Sequence, residues 1–366
     1  MTGPVIALLL REAGFDVTVY EAAPAAAPLG GGLIGLDHWS LDILERLGTT
    51  QPELVAYPSE RIVYTTVTDR APTHAVARIY PGRNTTWTLL HHALTRRLPG
   101  GVIRASHRLT GLSGAHGRPV LRFADGRQAT ADLVVFADGR ASTGRRILDP
   151  DRQLHYGGYI AHRGTASPAA ALADFVRMEP CKGAQFNIAP VPDGLDWTFY
   201  LNATDSQYRD WFGATPGRRP FAYPHHVSGH ARAAVDGLAE ALLPAVHAAV
   251  VRDTATRMAV PVMDIDPPAR MVWPIGTGHA VLVGDALAPV RPHTAAGANN
   301  GIDQAAGLAA ALGQHVQHGA DLDAALRGWQ RRHLPAALAA IERGPAIAAR
   351  LGLGTAARHP SEALDG

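Results

Sequence analysis

Two short apolar runs, Leu133–Phe136 and Ala280–Val283, constrain the fold of this 366-residue chain more than any other feature. Each run is too short for a typical helix, and each leads into a pairing of glycine and aspartate. Continuous apolar runs of this length are typical of strands buried on both faces of a parallel sheet. Because the runs lie far apart in the chain, they predict an α/β domain that a second unit interrupts, with the chain returning to the first domain near residue 270.

The segments between these runs predict the rest of the organisation. Helical patterns cover 36–47, 87–98, 301–312 and 322–351, and alternating strand patterns cover 156–164, 185–191 and 197–202. The composition changes after residue 150. We therefore divide the chain into the first part of an α/β domain at 1–150, an antiparallel-sheet domain at 151–268, the second part of the α/β domain at 269–320, a C-terminal helix at 321–354 and a flexible tail at 355–366.

The composition argues against several classes of function. Lys and Arg total 34 and Asp and Glu total 32, so the net charge of +2 gives no electrostatic footprint for nucleic acid. No apolar stretch is long enough to span a bilayer, and we expect a cytoplasmic protein without membrane contact. Cys181 is the single cysteine, which excludes an intrachain disulfide. The 18 histidines are scattered without metal-binding spacing, so we expect no metal site.

The first residues have the pattern of the second half of a dinucleotide-binding βαβ unit. An amphipathic helix follows Gly3, and a β-rich run at 16–20 ends at Glu21. In such a unit the pyrophosphate lies at the helix N-terminus, and an acidic residue about 20 positions later binds the ribose hydroxyls. The first strand and first two glycines of the fingerprint are absent. Taken alone, these residues are explained better by an ordinary α/β unit whose strand ends in glutamate.

Two further segments favour a cofactor site. The first apolar run delivers Asp138 and Gly139 into a turn, and the second delivers Gly284 and Asp285 into the small-residue segment 286–301 and a helix. A carboxylate at the carboxyl end of a strand can bind a chain of hydroxyl groups. Exposed amides beside a helix start can face an anionic ring edge.

In this order, the segments resemble the class A FAD-dependent aromatic monooxygenases, the para-hydroxybenzoate hydroxylase family, over nearly the whole chain. The stretches 291–297 (Arg-Pro-His-Thr-Ala-Ala-Gly) and 158–164 (Gly-Tyr-Ile-Ala-His-Arg-Gly) are most similar to the dihydroxypyridine hydroxylase branch. The resemblance implies an α/β, Rossmann-like FAD-binding domain of the glutathione-reductase type that lacks its first strand. An inserted antiparallel-sheet substrate domain and C-terminal helices complete the implied fold.

The resemblance also implies roles for individual residues. Glu21 would bind the adenosine ribose, Asp285 the ribityl-phosphate part of FAD, and Asp138 with Gly139 both FAD and the passing NAD(P)H. The backbone at 297–299 would lie beside the flavin pyrimidine. The full set of implied cofactor-binding residues is Gly3, Glu21, Asp138, Gly139, Gly284, Asp285, Pro292, Gly297, Ala298 and Asn299.

The implied activity is hydroxylation of an electron-rich aromatic or heteroaromatic small molecule through a C4a-hydroperoxide of FAD, with O2 and NAD(P)H as co-substrates and a homodimer as the assembly. The sequence departs from the family at Trp87, where relatives carry arginine, and at Ala288, where they carry histidine. The missing phosphate loop indicates N-terminal truncation, through a misassigned start or a real loss. A non-catalytic remnant or small-molecule-binding protein unable to hold FAD is therefore the alternative, and a flavoenzyme of another reaction is a third.

The sequence predicts the substrate-binding residues less closely than it predicts the cofactor-binding residues. Tyr159, Ala161 and Arg163 alternate onto one face of a strand and His162 onto the other, and either face could meet the flavin. His293 is the candidate catalytic residue because its loop should lie beside the isoalloxazine ring, although a role in loop structure fits it as well. We interpret the aromatic residues of this sheet as packing residues and Arg163 as a member of a structural ion pair.

Overall fold

The computed structural model describes residues 1–25, 31–114, 117–167 and 172–354, and the predicted flexible tail lies outside these ranges. Within them the helices are α1 (Thr2–Glu12), α2 (His38–Arg46), α3 (Gln51–Leu54), α4 (Trp87–Thr95), α5 (Thr143–Leu148), α6 (Asp205–Phe212), α7 (Gly229–Leu242), α8 (Ala245–Asp253), α9 (Ala296–His318) and α10 (Leu322–Arg350). The strands are β1 (Val19–Tyr20), β2 (Leu33–Asp37), β3 (Arg61–Thr68), β4 (Ala71–Ile79), β5 (Gly82–Thr86), β6 (Ile103–Arg104), β7 (Leu109–Ser113), β8 (Val120–Phe123), β9 (Gln128–Thr130), β10 (Leu133–Phe136), β11 (Leu154–Ala166), β12 (Phe175–Cys181), β13 (Ala184–Val191), β14 (Gly194–Asn202), β15 (Arg257–Ile265), β16 (Val272–Ile275) and β17 (Gly278–Leu282). None of these helices combines the length and apolar character needed to cross a bilayer.

The two apolar runs are adjacent parallel strands, as their sequence predicts. Strand β10 pairs with β17 so that Val134 lies opposite Ala280, and β1 pairs in parallel with β6. Helices α1, α9 and α10 pack with these strands around the largest hydrophobic core. This parallel pairing brings the carboxyl ends of β10 and β17, and hence Asp138 and Asp285, to the same edge.

A seven-stranded sheet forms the second layer, in the order β15-β11-β14-β13-β12-β3-β4. Its neighbours are antiparallel except for the parallel pair of β12 and β3. Helices α7 and α8 contribute to an apolar core on one face of the sheet, together with Phe186, Trp197 and Phe199. The predicted strands of the inserted sheet are present and longer than expected. Strands β3 and β4, which precede residue 150, also belong to this sheet, and the sequence analysis did not predict them.

The structure corrects the start of the helix expected at 36–47. Its first residues belong to β2, which pairs with β5, and α2 begins only at His38. The side chain of Asp37 accepts a hydrogen bond from the backbone N–H of Ser40 and so caps α2. An N-cap residue has extended backbone geometry, which explains why the strand can run directly into the helix. Helix α9, by contrast, is longer than the helix predicted at 301–312, because it begins at Ala296 and ends only at His318.

His162 lies on the helix-covered face of β11, in contact with the rings of Trp211 and Phe212. Burial lowers its pKa to about 3, and the nearby charge of Arg257 adds to the effect. The folded protein therefore holds His162 neutral, whereas the unfolded chain protonates it below its ordinary pKa near 6.5. The stability that follows from this difference is complete above that value and is lost as pH falls toward 3.

We predict that His162→Phe flattens the acid side of the stability profile. Between pH 6 and 4 the free energy of unfolding of the wild type should fall more steeply than that of the variant, by up to about 1.4 kcal/mol per pH unit for one proton. Denaturant unfolding at several pH values measures both slopes. Parallel slopes in the two proteins would contradict a neutral, buried His162.

Candidate functional site

Two acidic residues lie close to the N-terminus of α1. Burial lowers the pKa of the Met1 ammonium, and the nearby carboxylates of Asp285 and Glu21 oppose that shift. Glu21 follows β1, and its side chain accepts a hydrogen bond from the backbone N–H of Ala23. The structure thus brings Glu21, Asp285 and the first turn of α1, which contains Gly3, into one region.

We interpret the surroundings of the Asp285 side chain as a cleft. Its side chain is accessible to solvent, yet surrounding protein raises its pKa, against the opposing charges of the Met1 ammonium, Arg140 and Arg145. Exposure combined with desolvation is expected for a carboxylate in a narrow depression. The guanidinium of Arg145 donates hydrogen bonds to the backbone carbonyls of Asp285 and Ala286, at 3.2 and 2.8 Å, and so fixes the turn that carries the carboxylate.

Small residues let α1 approach this turn. A Cβ atom at Gly284 would lie 2.5 Å from the Thr2 hydroxyl oxygen, and one at Gly301 of α9 would overlap the same hydroxyl. Gly284 also has φ of 57°, in the left-handed region that favours glycine. Alanine at either position would therefore push α1 away from Asp285.

The first turn of α9 presents backbone amides beside Asp285. Its N-cap, Ala295, has φ of 52° and provides no side-chain cap, and a Cβ atom at Gly297 would lie 3.4 Å from a carboxylate oxygen of Asp285. The Asn299 side chain donates to the carbonyls of Gly35 and Ala295 and accepts from the Asp37 N–H. Asn299 therefore ties α9 to β2 through its side chain, which leaves its backbone as the part that could meet a ligand.

The carboxylate of Asp138 is hydrogen-bonded to groups of its own turn. Its carboxylate accepts hydrogen bonds from the Ser142 hydroxyl at 2.5 Å and from the amides of Thr143 and Gly144 at 2.6 and 3.0 Å. These bonds cap α5 and shape the turn around Gly139, where φ is 74°. The carboxylate of Asp138 thus organises this turn, and direct contact of its oxygens with a cofactor stays a prediction.

His293 lies against the face of the seven-stranded sheet opposite α7 and α8, which settles the question of which face meets its loop. Its ring stacks on Tyr159 with centroids 5.7 Å apart and lies 4.6 Å from the ring of Tyr200. Both ring nitrogens are buried without a hydrogen-bond partner among the described residues. Burial, with the charges of Arg177 and Arg291, lowers the pKa of His293 to about 3, so the imidazole is neutral at physiological pH.

An ion pair fixes the loop that carries His293. The Arg291 guanidinium donates to both oxygens of Asp264 on β15, at 2.7 and 2.5 Å. The same guanidinium lies over the ring of Tyr159, 5.3 Å from its centroid. Sequence reasoning missed this pair because nothing in the local pattern connects two residues that lie 27 positions apart.

Arg163 differs from its predicted role. Its side chain forms no ion pair within the described parts of the chain, and its Nε atom is buried without a partner. The guanidinium instead packs on Gly32, where any Cβ atom would overlap it. The absence of a carboxylate partner leaves its positive charge on the same sheet face as His293.

These features fit a dinucleotide. The cleft joins a carboxylate at each of two strand ends, uncapped amides at the start of α9 and the first turn of α1, which are the donors and acceptors that a dinucleotide requires. The residues able to hold such a group are Gly3, Glu21, Gly139, Gly284, Asp285, Gly297, Ala298 and Asn299.

Comparisons with known proteins agree with this geometry. The family described as "FAD binding domain" matches residues 1–343. The chain is 30% identical to 6-hydroxynicotinate 3-monooxygenase of Bordetella bronchiseptica, over 84% of this chain and 79% of that protein. It is 26% identical to 2,6-dihydroxypyridine 3-monooxygenase of Paenarthrobacter nicotinovorans, over 96% and 89% of the two chains. The solved structure of 2,6-dihydroxypyridine-3-hydroxylase from Arthrobacter nicotinovorans superimposes with a TM-score of 0.85 at 24% identity, over 98% of this chain and 92% of that one.

The α/β fold and the candidate site therefore define the protein as an FAD-dependent monooxygenase. This chain belongs to the FAD-binding monooxygenase family, and the family resemblance, the fold class and the FAD-dependent enzyme class predicted from the sequence are confirmed.

The ion pair provides a test of how the site is held. We predict that Asp264→Ala lowers the free energy of unfolding by roughly 3 kcal/mol, because it leaves the Arg291 guanidinium buried without its counter-charge. Asp266→Ala, a change at an exposed carboxylate nearby, is the matched control. Thermal and denaturant unfolding give the comparison, and equal stabilities of the two variants would show that the pair does not hold the loop.

Proposed function

We propose that this protein hydroxylates a small aromatic or heteroaromatic ring with FAD, O2 and NAD(P)H. The observation that carries the proposal is the path of residues 284–299. This single segment presents Asp285 and the start of α9 to the cleft at α1, and it also presents His293 to the sheet face that carries Tyr159 and Tyr200. A cofactor held by the cleft would thus have a substrate site beside it.

We assign the cofactor contacts by the chemistry of each group. Glu21 would bind the adenosine ribose, and the backbone amides of Thr2 and Gly3 would donate to the pyrophosphate. Asp285 binds the hydroxyl chain next to the flavin, and the backbone of Gly297, Ala298 and Asn299 lies at the flavin edge. Gly139 and Pro292 line the same cleft. Bound FAD supplies the activation of O2 and the transfer of one oxygen atom, which no side chain can perform.

The residues of the sheet face bind and orient the substrate. Neutral His293 has one donor and one acceptor nitrogen, so it can hydrogen-bond a ring hydroxyl or a ring nitrogen. Tyr159 and Tyr200, whose ring centroids are 6.2 Å apart, both contact the His293 ring and provide aromatic surface beside it. Their burial excludes water from the reacting ring. The homodimer and the cytoplasmic location stay predictions.

The first test is cofactor binding. We predict that the purified protein takes up FAD, and that Asp285→Ala raises the dissociation constant for FAD by about tenfold or more because a hydrogen-bonding carboxylate is lost. Flavin absorbance after gel filtration measures the binding, and Asp132→Ala, at an exposed carboxylate, is the control.

Failure of the unaltered protein to bind FAD would contradict the proposed function and favour the alternative of a non-catalytic binding protein. Binding of FAD with equal affinity by Asp285→Ala would instead contradict the role of this residue alone.

A second test concerns His293. We predict that His293→Phe keeps the stacking on Tyr159 and the affinity for FAD but lowers the yield of hydroxylated product by about 10- to 100-fold, because the polar ring nitrogens that orient the substrate are lost. NAD(P)H consumption, hydrogen peroxide release and product mass are measured together. His230→Phe, at an exposed position on α7, is the control. An unchanged ratio of product to NAD(P)H would leave His293 with a structural role only.

A further inference from the structure

Two arginines occupy one row across the sheet face that carries Tyr159 and Tyr200. The register pairs Arg163 with Thr198, Thr198 with Asn187, and Asn187 with Arg177, across β11, β14, β13 and β12. Residues paired in register point to the same face, so both arginines are on one face with Thr198 and Asn187 between them.

Neither arginine is neutralised by contact. Arg177 donates one hydrogen bond, at 3.3 Å, to the Asn187 carbonyl oxygen and lies over the rings of Tyr64 and Phe175. Within the described ranges, no carboxylate forms an ion pair with Arg163 or Arg177. The third arginine on this face, Arg291, is already paired with Asp264.

Asp196 lies in the adjacent row, and its carboxylate, which is mostly ionised at neutral pH, offsets at most one of the two arginine charges. Burial raises the pKa of Asp196 to about 6, while Arg163 and a backbone hydrogen bond from Leu33 oppose the shift. Burial also raises the pKa of Tyr200, against the charges of Arg163 and Arg177, which places both guanidinium groups near one phenol. The site therefore holds more positive than negative charge around Tyr200.

An unsatisfied acceptor lies in the adjacent row. Gln185 pairs with Tyr200 in the register, is 1% exposed, and has a side-chain carbonyl oxygen without a partner among the described residues. Rows on one face are about 7 Å apart along a strand, a spacing of the order of a ring with substituents at opposite ends. A buried acceptor without a donor is costly unless a ligand supplies one.

From these observations we propose that Arg163 and Arg177 bind a carboxylate on the aromatic substrate, and that Gln185 accepts a hydrogen bond from a hydroxyl or amino group on the same ring. The inference rests on the proposed function and specifies its substrate class as a hydroxylated or aminated aromatic acid. It excludes a neutral dihydroxylated ring as the preferred substrate. The two arginines act as specificity-determining residues, because they discriminate between an acid and a neutral ring of the same shape.

The test compares acids with their neutral amides on the FAD-loaded protein. The probes are 6-hydroxynicotinate and 4-hydroxybenzoate, against 6-hydroxynicotinamide and 4-hydroxybenzamide, with 2,6-dihydroxypyridine as the ring without a carboxylate. Perturbation of the flavin absorbance and quenching of tryptophan fluorescence both report binding. We expect at least one acid to bind about tenfold or more tightly than its amide, since a charge-assisted bond replaces a neutral one.

Variants assign the effect to the arginines. Arg177→Gln should raise the dissociation constant of the acid by about 10- to 100-fold and change that of the amide by less than about threefold. Arg177→Lys and Arg163→Lys keep the charge but lose the forked geometry, so they should give intermediate losses and retain the unfolding temperature. Arg122→Gln, at an exposed position on β8, should have no effect.

Several outcomes would overturn the proposal in distinguishable ways. If amides or 2,6-dihydroxypyridine bind and stimulate NAD(P)H oxidation as well as the acids do, the hydroxylase function stands and the carboxylate site is wrong. If the protein holds no FAD, the proposed function fails and the substrate class fails with it. If the FAD-loaded protein binds neither acid, the carboxylate site is wrong while the proposed function stands. A loss of equal size for acid and amide in Arg177→Gln would show a structural role for Arg177.

Discussion

The pairing of Arg291 with Asp264 is the contact on which the arrangement of the site depends. Arg291 lies in the loop after the last parallel strand, and Asp264 lies on β15 at the edge of the large sheet. Burying a guanidinium is unfavourable unless a carboxylate compensates for the lost water, so the loop has one low-energy position. That position stacks His293 on Tyr159. A Cβ atom at Gly344 of α10 would lie 3.0 Å from the Cβ atom of Arg291, so the C-terminal helix closes on the same loop.

The parallel core could be predicted from sequence because its signals are local. A continuous apolar run that ends in Gly284 and Asp285 specifies both a buried strand and the residue at its end, and the same holds for β10 and Asp138. The family resemblance added the identity of the cofactor, which no local pattern contains. The role of the Asp138 carboxylate in capping α5 was not evident, because a hydrogen bond to Thr143 and a hydrogen bond to a ligand require the same side chain.

The substrate face could not be predicted in the same way. Which side chains share a row depends on the register between β11, β12, β13 and β14, and register is set by contacts between distant segments. Arg177 therefore had no signal in the sequence, and the ion-pair partner expected for Arg163 is not found among the described residues. Strand β4 was missed for a different reason. All of its residues are exposed, so it lacks the alternation of apolar and polar residues that marks a half-buried strand.

The parallel pair of β3 and β12 joins two distant parts of the chain in one sheet, with Tyr64 opposite Arg177. Strand β12 would be an open edge without β3, and the ring on which Arg177 rests would be missing. Residues 154–265 therefore do not form the complete sheet by themselves. The sheet that carries Arg163 and Arg177 is therefore encoded by two separate stretches of the gene, and replacing it would require residues 61–79 as well as 154–265.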